Sequence, residues 1–475
     1  MASTPLLESH GRRKEEEERW WRRCLDLEEA KNQFYFAIPM ILTNMSYYGI
    51  TLVSVMFAGH LGQLELAGST LGNSWSMVTG IALMTGLSGA LETLCGQGFG
   101  AKMYKMLGIY LQTSIITSTF FCILVSITWC FSETILLWLH QDPHVSKMAA
   151  VYLKYFIPGI FAYGYLQCAL RFLQTQSVVI PLVICSAVPL ALHFGITYLS
   201  VYVLGFGFKA ASLSASLSLW ISFFMLACYI KFSDKFRHTW GGFSLESLHH
   251  VLPYMKLALP SALMVCLEYW AFEFLVLLAG LLPDSENSTS LLAMCVNTEA
   301  LAFMVTYGFA AVASTHVSNE LGAGNIEKAK NAVSVALKLA VVLALTTVLV
   351  LLFGHDLWAS FFSDSPEIIH KFAYMTPLLA FSMLFDTAQG VLSGVARGCG
   401  WQHLAAWTNL VTFYGIGLPL ALLFGFKLGF QDKGLWTGLI CGLACQACTL
   451  LVITLRTKWK KLDLPANDET SHMIV

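Results

Sequence analysis

Charged residues are what this chain of 475 residues lacks. Only 12% of the residues are Asp, Glu, Lys or Arg, and 56% are hydrophobic, whereas a soluble domain carries about 25% charged residues. A surface so poor in charge faces lipid, where only helices and closed barrels satisfy their own backbone. Long apolar runs such as residues 336–353 differ from the short alternating segments of a barrel. We therefore predict an all-α membrane protein.

Other absences narrow the class further. The net charge of -1 provides no basic surface for nucleic acid. The thirteen cysteines contain no paired C-x-x-C set with metal spacing, so no metal site is predicted. We expect no cleavable signal peptide, because the chain is polar up to its first apolar run near Phe34.

Twelve segments are long enough to cross a bilayer, which takes about 20 apolar residues. The polar stretch 233–250 divides them six and six. We expect an N-terminal segment (1–33), a six-helix bundle (34–232), a linker (233–255), a second six-helix bundle (256–455) and a tail (456–475). The predicted spans are about 34–57, 67–95, 107–131, 148–172, 178–204, 210–232, 256–282, 290–317, 331–354, 371–396, 404–427 and 433–455.

The loops predict the orientation. Basic residues such as Arg22, Lys235 and Lys460 lie in segments that an even number of spans places on one side, and acidic residues such as Glu133 and Asp364 lie in the opposite loops. The positive-inside rule then makes both termini cytoplasmic. The sequon at Asn287 would lie outside, and its glycosylation is left open. Plasma membrane and vacuole are not distinguished.

Two stretches resemble each other. Residues 86–101 read GLSGALETLCGQGFGA and residues 308–323 read GFAAVASTHVSNELGA, and each ends the second span of its half. Repeated halves are common in transporters, whose substrate site lies at the interface of the repeats near the membrane midplane. We therefore expect two pseudo-symmetric bundles with a site between them.

Ionisable residues inside the spans are the strongest functional signal, because each costs about 2.5–3.5 kcal/mol on insertion scales. The second half contains four acids: Glu268 and Glu273 in span seven, Glu299 in span eight and Asp386 in span ten. At ~1.5 Å per residue, Glu268 and Asp386 lie near the middle of the bilayer. Carboxyl groups buried without a cation exchange protons near neutral pH. The alternative is that they only stabilise packing through hydrogen bonds.

Several expectations concern the neighbours of these acids. No equally deep Lys or Arg is expected in their spans, and Lys338 is the nearest candidate. Glu268 and Glu273 point ~140° apart on an ideal helix, so Glu268 should pair with Asp386 or Glu299 of another helix. Pro260, two turns earlier, predicts a bend that is either a static kink or a hinge.

Aromatic and amide side chains suggest a substrate site. Aromatic rings suit organic cations through cation–π contacts. The first half offers neutral polarity; its only deep acid, Glu92, is near the cytoplasmic end, and Arg171 is interpreted as a marker of that side. The predicted substrate contacts are Tyr269, Trp270, Asn297, Tyr307, Gln389, Asn44 and Asn73.

Several motifs together resemble the multidrug and toxic compound extrusion (MATE) family, in its plant detoxification-efflux branch, over about residues 28–460. They are FAGHLGQLELAG from Phe57, ALETLCGQGFGA from Ala90, LALPSALMVCLEYWAFE from Leu257, MCVNTEAL from Met294, SNELGAGN from Ser318 and GVARGCGWQ from Gly394. The resemblance implies a V-shaped, twelve-helix exporter that works by alternating access and is driven by H⁺ or Na⁺.

For the eukaryotic branch the resemblance implies proton coupling through acids of the C-terminal bundle, which map onto Glu268, Glu273, Glu299 and Asp386. Many prokaryotic members carry an Asp in span one, but this chain has none between residues 44 and 58, which favours the second bundle. We expect a monomer that exports small organic, cationic or amphipathic molecules in exchange for protons, without a cofactor.

Two alternatives stay open at this stage. The first is a Na⁺-coupled exporter of the same fold. The second is a membrane protein that does not transport, such as a receptor or an enzyme. An enzyme would usually show a clustered catalytic set, but His60, His193 and His316 are far apart in the chain.

Overall fold

The computed structural model describes residues 26–361, 366–457 and 459, and within them every regular element is helical. The predicted cytoplasmic segments before residue 26 and after residue 459 lie outside the described residues. Twelve helices are long and apolar enough to cross a membrane. They are α1 (Leu27–Gly59), α2 (Gln63–Gly100), α3 (Tyr104–Cys130), α4 (Pro143–Thr175), α5 (Ile180–Val203), α6 (Phe208–Phe232), α7 (Val251–Ala279), α8 (Asn287–Gly322), α9 (Ile326–Ser360), α10 (Pro366–Cys399), α11 (Gln402–Lys427) and α12 (Gln431–Arg456).

The predicted number of spans is confirmed, but some helices are longer than their apolar cores. α1 begins at Leu27 instead of near residue 34, because the polar turn that precedes the apolar run is also helical. Asp26 caps this helix by accepting a hydrogen bond of 3.2 Å from the backbone N–H of Glu29. That bond and the amide of Asn331 hold the pKa of Asp26 below its usual value.

The outer surface is apolar. Side chains such as Phe224 of α6 and Val350 and Phe353 of α9 are more than half exposed. Water would penalise this surface, whereas lipid does not. The chain is therefore an integral, multi-pass membrane protein.

The two halves pack closely at the end of the bundle that carries residues 27 and 456, which we name the terminal end. Here the two resembling stretches contact each other. A β-carbon on Gly100 would lie 2.0 Å from the carbonyl oxygen of Asn319, and one on Gly322 would lie 2.0 Å from that of Gln97. Only glycine allows the backbones of α2 and α8 to approach this closely.

The halves separate towards the opposite end, which we name the far end. One hydrophobic cluster joins both halves at the terminal end. It includes Leu87 of the first half and Tyr254 of the second, and the Tyr254 hydroxyl donates a hydrogen bond of 2.8 Å to the carbonyl of Leu87. At the far end the second half has its own cluster around Leu275 and Trp436. The first half has another around Tyr152. The bundle is thus V-shaped, with its opening at the far end.

The stretch between the halves is packed on α3. The side chain of Gln112 donates a hydrogen bond of 2.7 Å to the carbonyl of Gly242 and accepts one of 2.8 Å from the backbone N–H of Ser244. A β-carbon on Gly108 would lie 2.6 Å from the carbonyl oxygen of Thr239. These contacts attach the stretch to the first half.

Candidate functional site

A cavity of about 1200 Å³, including the solvent at its mouth, lies between the two halves. The first half contributes a neutral wall of hydroxyl, amide and aromatic groups, and the second half contributes carboxyl and guanidinium groups as well. The principal polar and aromatic lining residues are Asn44, Tyr47, Tyr48, Asn73, Tyr163, Gln167, Glu268, Tyr269, Phe303, Tyr307, Gln389 and Arg397.

The four predicted acids line one cavity. This second space of about 910 Å³ shares Glu268 with the first and is also lined by Glu273, Glu299 and Asp386. Glu268 and Glu273 are expected to point in different directions from α7, and yet both line this cavity. The cavity is wide enough for both side chains to reach its wall without converging.

Glu268 and Asp386 are joined by one amide. The Nε2 atom of Gln389 lies 2.7 Å from Oε1 of Glu268 and 2.9 Å from Oδ1 of Asp386. An amide nitrogen has two N–H donors, so it can serve both carboxyl groups at once. The sequence predicts Gln389 as a substrate contact. The structure places it on the cavity wall and between the acids.

Further side chains fix the orientation of that amide. Its Oε1 atom accepts hydrogen bonds from Gln446 Nε2 at 3.0 Å and from Ser393 Oγ at 3.2 Å. Gln446 also donates to Asn409 Oδ1 at 2.8 Å. Because the oxygen has these donors, the nitrogen must face Glu268 and Asp386. The pairing of Glu268 with Asp386 across helices is thus present, and it is indirect.

The other two acids have different surroundings. Glu299 is buried and accepts a hydrogen bond of 3.0 Å from Ser382 Oγ, whereas its Oε1 atom has no partner among the described residues. Trp436 donates to the same Ser382 hydroxyl at 3.2 Å. Glu273 is half-buried on the wall of the second cavity. Glu299 and Glu273 therefore lie beside the bridged pair and outside its hydrogen-bond network.

The cations near the site were predicted incorrectly. Lys338 is exposed, whereas Arg397 of α10 is 5% exposed and lines the same cavity as Glu268. Arg171 was interpreted as a marker of one membrane side, but it is only 1% exposed. Both guanidinium groups reach inward because Glu92, a fully buried carboxylate, pairs with them.

The four acids themselves have no such partner. Among the described residues, no Lys or Arg nitrogen lies within 4.0 Å of the carboxyl oxygens of Glu268, Glu273, Glu299 or Asp386. Their charges, when present, are not cancelled by ion pairs of the protein.

Two of the predicted substrate contacts, Trp270 and Tyr307, also form hydrogen bonds with other parts of the protein. Trp270 donates its indole N–H to the carbonyl of Val78 at 3.0 Å. Val78 lies in a π-helical turn of α2, Met77–Ile81, and such turns often occur at functional sites. The hydroxyl of Tyr307 is a hydrogen-bond acceptor for Arg171. Trp270 thus joins the halves and Tyr307 contacts the arginines, although Tyr307 also lines the cavity.

The remaining predicted residues divide between the cavity and the outer surface. Tyr269 lines both cavities and Asn297 the second one. The buried atoms Asn44 Nδ2 and Asn73 Oδ1 line the space without a hydrogen-bond partner among the described residues. Pro260 borders an apolar groove together with Trp407, away from the acids.

Comparison with known proteins agrees with this architecture. The family model described as MatE matches residues 39–199 and 260–423. Protein DETOXIFICATION 18 of Arabidopsis thaliana is 58% identical over 441 residues, which cover 93% of this chain and 94% of that protein. Protein DETOXIFICATION 16 of the same plant is 44% identical over 432 residues, or 91% of this chain and 89% of that protein.

Solved structures give the same result. The crystal structure of the eukaryotic MATE transporter AtDTX14 has a TM-score of 0.89 at 36% identity and covers 92% of this chain and 97% of that one. A multidrug resistance MATE family transporter in an outward-facing conformation has a TM-score of 0.80 at 19% identity, with 91% and 97% covered. The second likeness supports the fold alone.

Proposed function

Because the chain belongs to the MatE family of membrane transporters, we propose that it exports organic cationic or amphipathic molecules in exchange for protons. The observation that carries this proposal is the pair of Glu268 and Asp386. The pair lines the second cavity, which residues of both halves enclose, and shares the amide of Gln389. Among the described residues no Lys or Arg lies within ion-pair distance of it.

Exchange follows from competition for the same charges. When Glu268 and Asp386 are ionised, they attract a cationic substrate. When they bind protons, that attraction is lost and the substrate is released. A carboxyl group that binds a proton loses the negative charge that attracts the cation. Uptake of protons from one side therefore accompanies release of substrate to that side.

The distribution of charge supports an orientation. Lys and Arg are concentrated in the segments at the terminal end, so we place both termini in the cytoplasm. The far end, where the halves separate, then faces the outside or the vacuolar lumen. In this orientation the described conformation is outward-facing, and protons from an acidic exterior reach Glu268 and Asp386 through the open end.

The decisive experiment uses the purified full chain in liposomes with ethidium as the probe. We expect a pH gradient, acidic on the far-end side, to drive ethidium towards that side, because protons displace the cation there. A Na⁺ gradient at fixed pH should drive nothing, and replacing Na⁺ by K⁺ should leave the rate unchanged. Transport driven by Na⁺ and unaffected by the pH gradient would contradict proton coupling.

The neutral wall of the first half is expected to contribute substrate affinity. Replacing Asn73 by Leu should raise the KM for ethidium about fivefold, the effect of one lost hydrogen bond of ~1 kcal/mol, and leave the maximal rate nearly unchanged. Initial rates over a range of ethidium concentrations measure this. Asn32→Leu, an exposed position of α1, is the matched control, and an unchanged KM in Asn73→Leu would remove Asn73 from the site.

A further inference from the structure

A buried triad of one carboxylate and two guanidinium groups lies where the halves meet. Glu92 Oε1 is 3.0 Å from Arg171 Nη1, within the first half. Glu92 Oε2 is 3.0 Å from Arg397 Nε, across the interface. The three residues are 0%, 1% and 5% exposed. We name the bond between Glu92 and Arg397 the inner contact.

The triad carries one positive charge in excess. Tyr307 lies beside both arginines, with its ring centroid 5.3 Å from the guanidinium carbon of Arg171 and 5.7 Å from that of Arg397. Its ring and hydroxyl stabilise cations without a formal charge. One carboxylate therefore balances only one of the two arginines, and a buried charge without a counter-charge is costly.

The carboxyl groups that face this excess charge belong to the bridged pair. Arg397 follows Asp386 on α10 by eleven residues, which is three turns, so both side chains lie on one face about 16 Å apart. Ser393 lies between them and bonds Gln389. Arg397 and Glu268 also line the same cavity. Ionised Glu268 and Asp386 thus supply the negative charge that the triad lacks.

The other groups that face this space are mostly neutral. From α11 and α12 they are the amides Asn409 and Gln446. The phenol hydroxyls are hydrogen-bond donors and acceptors, and the two further acids border the outer part of the space. The phenols and the two further acids that line the space are Tyr47, Tyr48, Tyr163, Tyr269, Tyr307, Glu273 and Glu299.

We propose that the inner contact is the gate of the terminal end, and that protonation of both Glu268 and Asp386 releases it. With the pair empty and ionised, Arg397 is compensated and the gate stays closed. With both carboxyl groups protonated, the excess charge of the triad is no longer compensated, and Arg397 gains by moving to water at the terminal end. Glu92 then keeps Arg171 as its partner.

Close packing transmits this movement to the rest of the interface. β-Carbons on Gly394 and Gly398 would lie 2.2 Å and 2.7 Å from the carbonyl oxygens of Ala310 and Ser314. The ends of α10 and α8 therefore move together. Since α8 also contacts α2 at the terminal end, displacement of Arg397 separates the halves there.

This gate determines which state of the carrier can open at the terminal end, an inference that rests on the proposed function of proton exchange. The carrier with an ionised pair does not open at the terminal end, whereas the carrier with both carboxyl groups protonated does. The carrier therefore opens towards the terminal end only after it has bound protons from the far end. Arg397 and Glu92 are positioning residues in this scheme, because they act through the pair and need not contact the substrate.

The test measures the opening of the terminal end directly. Spin labels are placed at Lys105→Cys and Lys328→Cys, exposed positions after α2 and at the start of α9, once the exposed native cysteines are replaced by serine. Pulsed electron paramagnetic resonance then reports the distance between the halves at mildly acidic and mildly alkaline pH. In the parent protein we expect a longer distance to become populated on acidification.

Variants separate a charge-coupled gate from a merely structural contact. Arg397→Gln leaves a neutral Glu92–Arg171 pair, so the shift with pH should be lost. Arg397→Lys keeps the charge and should restore it. Arg237→Gln, which removes an exposed cation near the linker, should behave like the parent. Elution from size-exclusion chromatography verifies folding of each variant.

The outcomes distinguish this inference from the proposed function. A pH-dependent shift that persists in Arg397→Gln, or an absence of any shift in a parent protein that still transports ethidium along a pH gradient, overturns the gate and leaves proton exchange intact. Failure of the pH gradient to drive ethidium in the parent overturns the proposed function itself. Loss of the shift in Arg397→Gln and its return in Arg397→Lys support the gate.

Discussion

Replacement of Asp386 by asparagine, or of Glu268 by glutamine, is expected to reduce ethidium transport along a pH gradient to the level of protein-free liposomes. The amide retains the size of the carboxyl group and the hydrogen bond with Gln389 can be rearranged, but the amide does not ionise and cannot release a proton. The residue can then neither attract the cation nor exchange it. Initial rates in liposomes with matched amounts of protein provide the measurement.

A matched substitution identifies the effect as local. Glu246→Gln removes a carboxylate from an exposed position of the linker and should retain the parent rate. Glu299→Gln and Glu273→Gln should show intermediate rates, because these acids line the cavity outside the bridged network. Parent-like transport in both Glu268→Gln and Asp386→Asn would refute the assignment of proton exchange to this pair.

Alanine at Gly100 or Gly322 is expected to prevent closure of the terminal end. The added methyl group would lie 2.0 Å from a backbone carbonyl oxygen of the opposite half, and two backbones cannot yield as a flexible side chain can. The halves must separate there, so the outward-facing state is lost. We expect transport to fall to background and the spin-label distance across the terminal end to be long at every pH.

Gly354→Ala is the control for this prediction. Its β-carbon would meet no atom within 4 Å, and the helix tolerates alanine at least as well as glycine. This variant should therefore transport as the parent does. If Gly100→Ala and Gly322→Ala kept both the parent rate and the short distance, the close approach of α2 and α8 would not be required for the cycle.

The sequence predicts those features that depend on local composition. The twelve spans follow from hydropathy, and the depth of Glu268 and Asp386 follows from counting residues along a helix of known rise. That both acids would line one cavity was expected from the repeat and from transporter folds in general. The length of α1 was underestimated, because hydropathy detects the membrane part of a helix and not its polar first turns.

The features that the sequence could not predict depend on contacts between distant segments. Glu92 and Arg397 are separated by 305 positions, and the sequence of neither span indicates that the two side chains form an ion pair. One local signal was available, since Arg397 lies on the face of α10 that carries Asp386. Trp270 donates its indole N–H to the carbonyl of Val78, which lies in a π-helical turn of α2. A regular helical projection of the sequence does not reproduce the register of such a turn.

The unequal walls of the cavity have a consequence for the diversification of such carriers. The first half presents neutral groups such as Asn44 and Asn73, while the charges that would power the cycle reside in the second half. Substitutions in α1 or α2 can therefore alter which compound is carried without altering the energy source. A duplicated copy of the gene could acquire a new cargo through a few changes on one wall.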